Sequence, residues 1–184
     1  MHAEARESPF GPMTAKSIFR FDVHLLSGPL TSSFLRQHPK MPSRIIDIRG
    51  SQSLEALHHA IFAAFDRYDQ HMCEFQIGGV RPHDKKSQRY VYHMFYDDIN
   101  ENDDYNKGAR DVSETSIISL NLVPGQLFFY WFDFGDEWWH TIKFIGTPEK
   151  IARAHYPRIV EKTGKSPPQY AAYDEEAGDE DALE

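Results

Sequence analysis

Two aspartates and a histidine stand close together in the most aromatic stretch of the sequence, where their types could support acid–base or metal chemistry. The stretch contains Asp133, Asp136 and His140, with Trp138 just before the histidine. If residues 135–138 close a β-hairpin, Asp133 faces His140 across the two strands. A carboxylate and an imidazole that face each other can share a proton or bind a divalent metal ion. The sequence therefore places its candidate site at this hairpin.

Other histidines could join this site from neighbouring elements. His58 lies beside His59 in a predicted helix, and His71 opens a predicted strand. If the helix packs on the sheet, His58 or His59 could converge with His71 and His140, and three histidines with a carboxylate can bind zinc. The spacing offers neither a His-x-x-x-His pair nor a Cys-x-x-Cys pair. We therefore predict no cofactor, and a divalent metal remains the secondary interpretation.

The hairpin residues also have a purely structural interpretation. Asp133 can accept backbone N–H bonds within the turn and fix the ring of His140, while Gly135 takes a positive φ. A buried histidine is more often hydrogen-bonded in a core than bound to a metal. The sequence favours this structural interpretation and assigns no catalytic residue. Whether the protein is an enzyme stays open, and we favour the interpretation that it is not.

The elements that must position these residues are strands around one main helix. Leu54, Leu57, Ile61 and Phe65 recur at helical spacing after a serine cap, and predict a helix that ends near residues 66–69. Period-two alternation or apolar runs predict the strands, and glycine and proline separate them. The other predicted elements are strands over 17–26, 43–49, 71–77 and 90–96, a helical turn over 116–123, a hairpin within 127–144, and a helix within 148–160.

This order predicts a single α+β domain. We expect a mixed β-sheet with the main helix packed across it, in a β-grasp-like arrangement, plus the aromatic hairpin. The predicted boundaries are a disordered N-terminus over 1–16, the domain over 17–170, and an acidic disordered tail over 171–184. Seven acidic residues lie in 174–184, so the net charge of -8 leaves only -1 for the rest of the chain.

Composition excludes several classes of function. No run of about twenty apolar residues could span a membrane, and no signal-peptide pattern precedes the first strand. A single cysteine, Cys73, fits a reducing compartment, so we predict a cytoplasmic protein. The aromatic run over 127–144 could stack on bases, but it has few basic neighbours, so core packing is the better interpretation. We therefore rank a protein partner above nucleic acid, and the sequence gives no oligomeric state.

Four ordered motifs resemble the plasmid pRiA4b Orf-3-like family. Residues 133–142 read D-F-G-D-E-W-W-H-T-I. The helix over 54–65, the strand over 71–75, and the single ending motif made of Tyr156-Pro157-Arg158 followed by Pro167-Pro168 match the family's other segments. The resemblance implies an α+β domain that is often encoded on plasmids or near mobile elements. Some members are labelled transposon resolvases, but the resemblance brings no catalytic residues with it. The first hypothesis is therefore a non-catalytic binding or interaction domain; the second is a small metal-dependent or acid–base enzyme that uses Asp133, Asp136 and His140, and the third is a nucleic-acid-binding protein.

Overall fold

Eight strands and two short α-helices make up the described part of the chain. The computed structural model describes residues 12–92 and 107–170. In chain order the elements are β1 (Ile18–Ser27), α1 (Ser32–Gln37), β2 (Ser43–Arg49), α2 (Leu54–Ala64), β3 (Cys73–Ile77), β4 (Gln88–Val91), β5 (Arg110–Asp111), a 3₁₀ helix (Ile117–Leu120), β6 (Leu127–Phe132), β7 (Trp138–Gly146) and β8 (Arg158–Thr163).

The strands form one mixed sheet in the order β5-β4-β3-β6-β7-β1-β2-β8. Neighbouring strands are antiparallel except β4 and β5, which are parallel. The sheet with few helices confirms the predicted α+β class. Its β-grasp-like arrangement stays a prediction.

Helix α2 packs across one face of the sheet, as its sequence predicts. The side chain of Ser53 accepts a hydrogen bond from the backbone N–H of Ala56 and caps the helix. Leu54, Leu57 and Ile61 are buried on one side of the helix. They join alternate residues of the strands in one continuous core.

The opposite face of the sheet carries a second, smaller apolar cluster. Trp131 and Trp139 stack at 4.9 Å between ring centroids, and Phe134 stacks on Trp131 at 3.9 Å. Phe129 completes the cluster, and the indoles are almost fully buried. The aromatic run therefore supplies core to both faces rather than an open stacking platform.

The predicted helix within 148–160 is wrong. The chain has no helix in this range, and its last residues begin the edge strand β8, which pairs with β2. Pro157 directly precedes β8, where its missing N–H costs no ladder bond. This segment forms a strand rather than a helix because the edge of β2 is available for pairing. Local sequence patterns do not show that edge.

Two further differences concern the connections. The predicted long connection after the first strand contains α1, whose cap Thr31 accepts a bond from the backbone N–H of Phe34. Residues 12–16, predicted to be disordered, form a turn in which Ala15 accepts a bond from the N–H of Ser51. The predictions for 1–11, for 93–96 of the fourth strand and for the acidic tail lie outside the described residues.

Candidate functional site

The aromatic hairpin has a different register from the predicted one. Phe132 pairs with Trp138 and Tyr130 pairs with His140, so residues 133–137 form a five-residue loop. The predicted cross-strand pair of Asp133 and His140 is therefore wrong. The loop is longer than predicted because the chain leaves β6 at Asp133, which has a φ of 55°, a left-handed conformation that aspartate tolerates better than most residues.

Asp133 organises the loop, as the structural interpretation of the hairpin predicts. Its Oδ1 accepts hydrogen bonds from the backbone N–H groups of Gly135 (3.2 Å) and Asp136 (3.3 Å). Its own N–H donates to the carbonyl of Met72 at 3.0 Å. Two details of that prediction are wrong: the positive φ angles fall on Asp133 and Glu137 and not on Gly135, and Asp133 forms no hydrogen bond with the ring of His140.

Asp133→Ala is expected to lower the free energy of unfolding by about 1–2 kcal/mol, because alanine removes both loop bonds and tolerates the left-handed φ poorly. Asp133→Asn is the matched control, since its amide oxygen can accept the same bonds and asparagine tolerates this φ. Urea unfolding followed by tryptophan fluorescence measures both. Equal losses for the two variants would contradict this role.

The other carboxylate oxygen of Asp133 faces a histidine, but that histidine is His71. His71 Nε2 lies 3.5 Å from Asp133 Oδ2, 3.6 Å from Asp69 Oδ2 and 2.9 Å from the Tyr170 hydroxyl. The Tyr170 hydroxyl donates to Asp69 at 2.5 Å, which raises the pKa of Tyr170 to about 12. This polar cluster at the tip of the hairpin joins the arm after β8 to the loop before β3.

His140 lies in the core, away from Asp133 and Asp136. Its ring meets the Phe65 ring edge-on at 4.7 Å and lies next to Tyr130. Burial and then the charge of Arg67 lower its pKa to about 3. His140 is therefore neutral at ordinary pH, and no carboxylate within 12–92 and 107–170 forms a hydrogen bond with its ring.

His58 is a hydrogen-bonded core histidine. Its Nδ1 lies 2.7 Å from the Tyr130 hydroxyl, and burial followed by the neighbouring His59 lowers its pKa to about 3. The predicted convergence of three histidines does not occur, since His71 lies in the polar cluster at the tip of the hairpin while His58 and His140 lie in the core. Over 12–92 and 107–170, no three histidine, cysteine, aspartate or glutamate residues are grouped so that they could hold a metal ion.

Sequence reasoning missed Arg67, which contacts the motif from the loop after α2. Its guanidinium lies 3.7 Å from the centre of the Trp138 ring, and Nη1 donates to the carbonyl of Pro167 at 3.2 Å. Trp138 is fully buried, and a Cβ atom on Gly28 would overlap its indole. No periodic pattern predicts this contact, because the residues lie far apart in the sequence and Arg67 occupies a connection.

Comparison with known proteins decides the family. The model of the plasmid pRiA4b ORF-3-like proteins matches residues 35–172. The chain belongs to this family. No curated protein sequence matches the chain. A similar fold occurs in the crystal structure of a protein of unknown function, MM3350, from Methanosarcina mazei Go1, with 16% sequence identity, a TM-score of 0.62, and coverage of 85% of this chain and 74% of that one.

Residues 133–142 of this chain, which lie within the matched range, form the hairpin loop and the first part of β7. Asp133 shapes the hairpin loop, while Trp138 and His140 enter the core under α2.

Among the described helices of this pRiA4b ORF-3-like protein, none is both long enough and apolar enough to cross a membrane.

Proposed function

We propose that this pRiA4b ORF-3-like protein is a non-catalytic interaction domain that binds an extended acidic peptide of a partner protein along β8. One observation carries the proposal: an apolar groove of about 460 Å³ lies between α2 and the edge strand. Its lining includes Ala56, His59, Ala60, Ala63, Pro157 and Ile159.

The strand side of the groove supplies a backbone template. β8 ends the sheet and pairs with β2, so among the described strands its other edge faces none. An extended peptide can add to such an edge through main-chain hydrogen bonds and place alternate side chains in an adjoining pocket. Ile159 and Val160 are both 37% exposed, which leaves apolar surface for such a peptide to cover.

The helix side of the groove supplies the pocket. Ala56, Ala60 and Ala63 follow one another at helical spacing, so they share one side of α2. Their small side chains leave room for an apolar anchor of the peptide. Leu57 and Ile61 fill the other side of the helix and hold it on the core.

Charge favours an acidic peptide. Residues 149–165, which contain β8 and its flanks, hold five basic residues and two acidic residues. One of the basic residues, Lys162, is paired with Asp66 at 3.0 Å, which leaves four basic residues against the two acidic ones, still an excess of positive charge that attracts an acidic partner. Nucleic acid is the less suitable occupant because His59 is the only aromatic side chain among the lining residues, and single strands bind through exposed aromatic rings that stack on the bases.

The hairpin supports a scaffold role better than an active site. The imidazole of His140 is buried away from both Asp133 and Asp136, and the histidine beside Asp133 is His71. The enzyme hypothesis built on Asp133, Asp136 and His140 therefore loses the contact on which it rested. Four expectations from the sequence accompany the proposal. They are a β-grasp-like sheet, a cytoplasmic location, an association with mobile elements and an acidic tail.

Fluorescence anisotropy of labelled peptide pools tests the proposal. One pool has seven-residue peptides with a central leucine, isoleucine or valine among glutamates and threonines, and the second pool replaces glutamate by lysine. The full chain is expected to bind the acidic pool at least tenfold more tightly, about 1.4 kcal/mol, and to lose affinity as salt rises.

Ala60→Phe fills the groove and is expected to weaken binding of the acidic pool at least tenfold. Val80→Phe is the matched control, because Val80 is exposed in the turn between β3 and β4. Equal binding by both variants would overturn the proposed site. Binding of an oligonucleotide that Ala60→Phe abolishes would instead assign the groove to nucleic acid and contradict the proposal.

A further inference from the structure

The arm after β8 ties the last described residues to the loop that follows α2. Gln169 is 1% exposed, and its Oε1 accepts hydrogen bonds from the backbone N–H groups of Tyr68 and Asp69, both at 3.0 Å. Its Nε2 donates to the carbonyl of Asp69 at 2.7 Å, and the Tyr170 hydroxyl donates to the carboxylate of the same residue. The segment that follows Tyr170 therefore starts just beyond the C-terminal end of α2.

The segment over 171–184 has the composition of the peptide that the groove between α2 and β8 is proposed to bind. It contains seven acidic residues and no basic residue, and Leu183 is its only large aliphatic side chain. Asp181 precedes Leu183 by two positions, so the two side chains point to the same side of an extended segment. A leucine in an apolar pocket therefore places a carboxylate beside that pocket.

Charge directs this segment away from the tip of the hairpin and toward β8. The loop over 133–137 contains three acidic residues, and Asp69 lies where the arm ends, so this end of the molecule repels an acidic segment. Residues 149–165 have five basic residues against two acidic residues, and Arg158 and His59 line the groove itself. The groove is therefore the electrostatically favoured position for the segment.

The segment is long enough to reach the groove. Ala63, at one end of the groove, precedes Asp69 by six residues, so the two lie within about 20 Å of each other. The thirteen residues from Tyr170 to Leu183 span up to about 45 Å when extended and about 20 Å as a flexible chain. Because the flexible length matches the span, the tethered segment has an effective concentration on the order of millimolar at the groove.

We propose that residues 171–184 occupy the groove between α2 and β8 and compete there with the partner peptide. Leu183 lies in the alanine pocket of α2, Asp181 lies beside Arg158, and the backbone adds to the free edge of β8. This inference rests on the proposed function, since it uses the same groove and the same ligand chemistry. A partner must displace the segment, so the segment weakens every acidic peptide and restricts the groove to those that bind tightly.

A full chain that carries Asp181→Asn and Leu183→Ser tests the competition with the acidic peptide pool. The double variant removes the anchor and one neighbouring charge. It should bind the pool about threefold or more tightly than the unaltered chain, as expected for a millimolar competitor of about 0.5 mM affinity. Asp174→Asn with Ala177→Ser is the matched control, because it changes the charge equally and keeps the anchor. Its affinity should equal that of the unaltered chain.

The outcomes of this experiment separate the two proposals. Equal affinity of all three chains for the pool, with binding still weakened by Ala60→Phe, would overturn the competition and leave the proposed function intact. No binding of the pool by any chain would overturn the proposed function and the competition with it.

Hydrogen–deuterium exchange of the same three chains without peptide gives a second measurement. The double variant at Asp181 and Leu183 should exchange faster over β8 than the unaltered chain and the control, because the free edge of β8 is then uncovered. Equal exchange in the three chains would overturn the inference. A difference that increases with protein concentration would also overturn it, because the segment would then bind a second copy of the chain.

Discussion

Acidification from pH 8 to pH 5 is expected to lower the free energy of unfolding by about 4 kcal/mol, about 2 kcal/mol from each of two buried histidines. His58 and His140 both have a pKa lowered to about 3 by burial, and the effect is increased by His59 for His58 and by Arg67 for His140. In the unfolded chain a histidine takes up a proton near pH 6.5. Because the unfolded state then binds more protons than the folded state, stability falls as the pH drops from about 6.5 toward 3.

The test is a series of urea unfolding curves between pH 8 and pH 5. Carboxylates with a lowered pKa, such as Asp66 and Asp69, change their charge below pH 5. The two histidines therefore cause most of the change in the free energy of unfolding between pH 8 and pH 5. His140→Phe is expected to remove about half of the pH dependence. The exposed residue His155 provides the control, since His155→Gln should leave the slope unchanged. If the free energy of unfolding changed by less than 1 kcal/mol between pH 8 and pH 5, the lowered pKa values of His58 and His140 would be contradicted.

Trp138→Ala is expected to lower the free energy of unfolding by about 3–5 kcal/mol, the largest effect of a single substitution that we predict. The indole is fully buried in the main core, lies against Gly28 and contacts the guanidinium of Arg67. Its removal leaves a large cavity and exposes a buried cation to a void. Both consequences are costly, because the core relaxes only in part and Arg67 loses its aromatic partner.

Trp138→Phe is the informative comparison for this substitution. It keeps an aromatic ring beneath Arg67 and should recover more than half of the loss. Val80→Ala, at a position that is 88% exposed, should change stability by less than about 0.5 kcal/mol. Guanidinium unfolding monitored by circular dichroism measures all three. A loss below 1 kcal/mol for Trp138→Ala would contradict the assigned packing.

Local patterns in the sequence predict the elements that depend on local physics. The capped apolar stripe of α2 and the alternation of β1 are visible in a few residues and appear where expected. The strand β8 is not visible in this way, because it forms against an unpaired edge of β2. The turn of the aromatic hairpin fails for another reason: the left-handed conformation falls on Asp133 rather than on the available glycine, which shifts the register.

The candidate site shows the same division. Asp133, His71 and Trp138 could be selected from their residue types, and the structural role of Asp133 follows from the chemistry of aspartate in turns. Arg67 and Tyr170 could not be selected, since their contacts join a loop after α2 to segments about 70 and 100 residues away. Such contacts depend on the packing of the whole sheet, and no local spacing encodes them.

Hydrogen–deuterium exchange of the full chain with and without the acidic peptide pool tests whether β8 and α2 form a peptide-binding edge. If they do, the peptide slows exchange over β8 (Arg158–Thr163) and over the residues of α2 that line the groove, with little change in the strands at the centre of the sheet. Ala60→Phe should remove this protection, and Val80→Phe should retain it. Protection confined to the hairpin loop over 133–137, or the same protection in Ala60→Phe, would contradict the account.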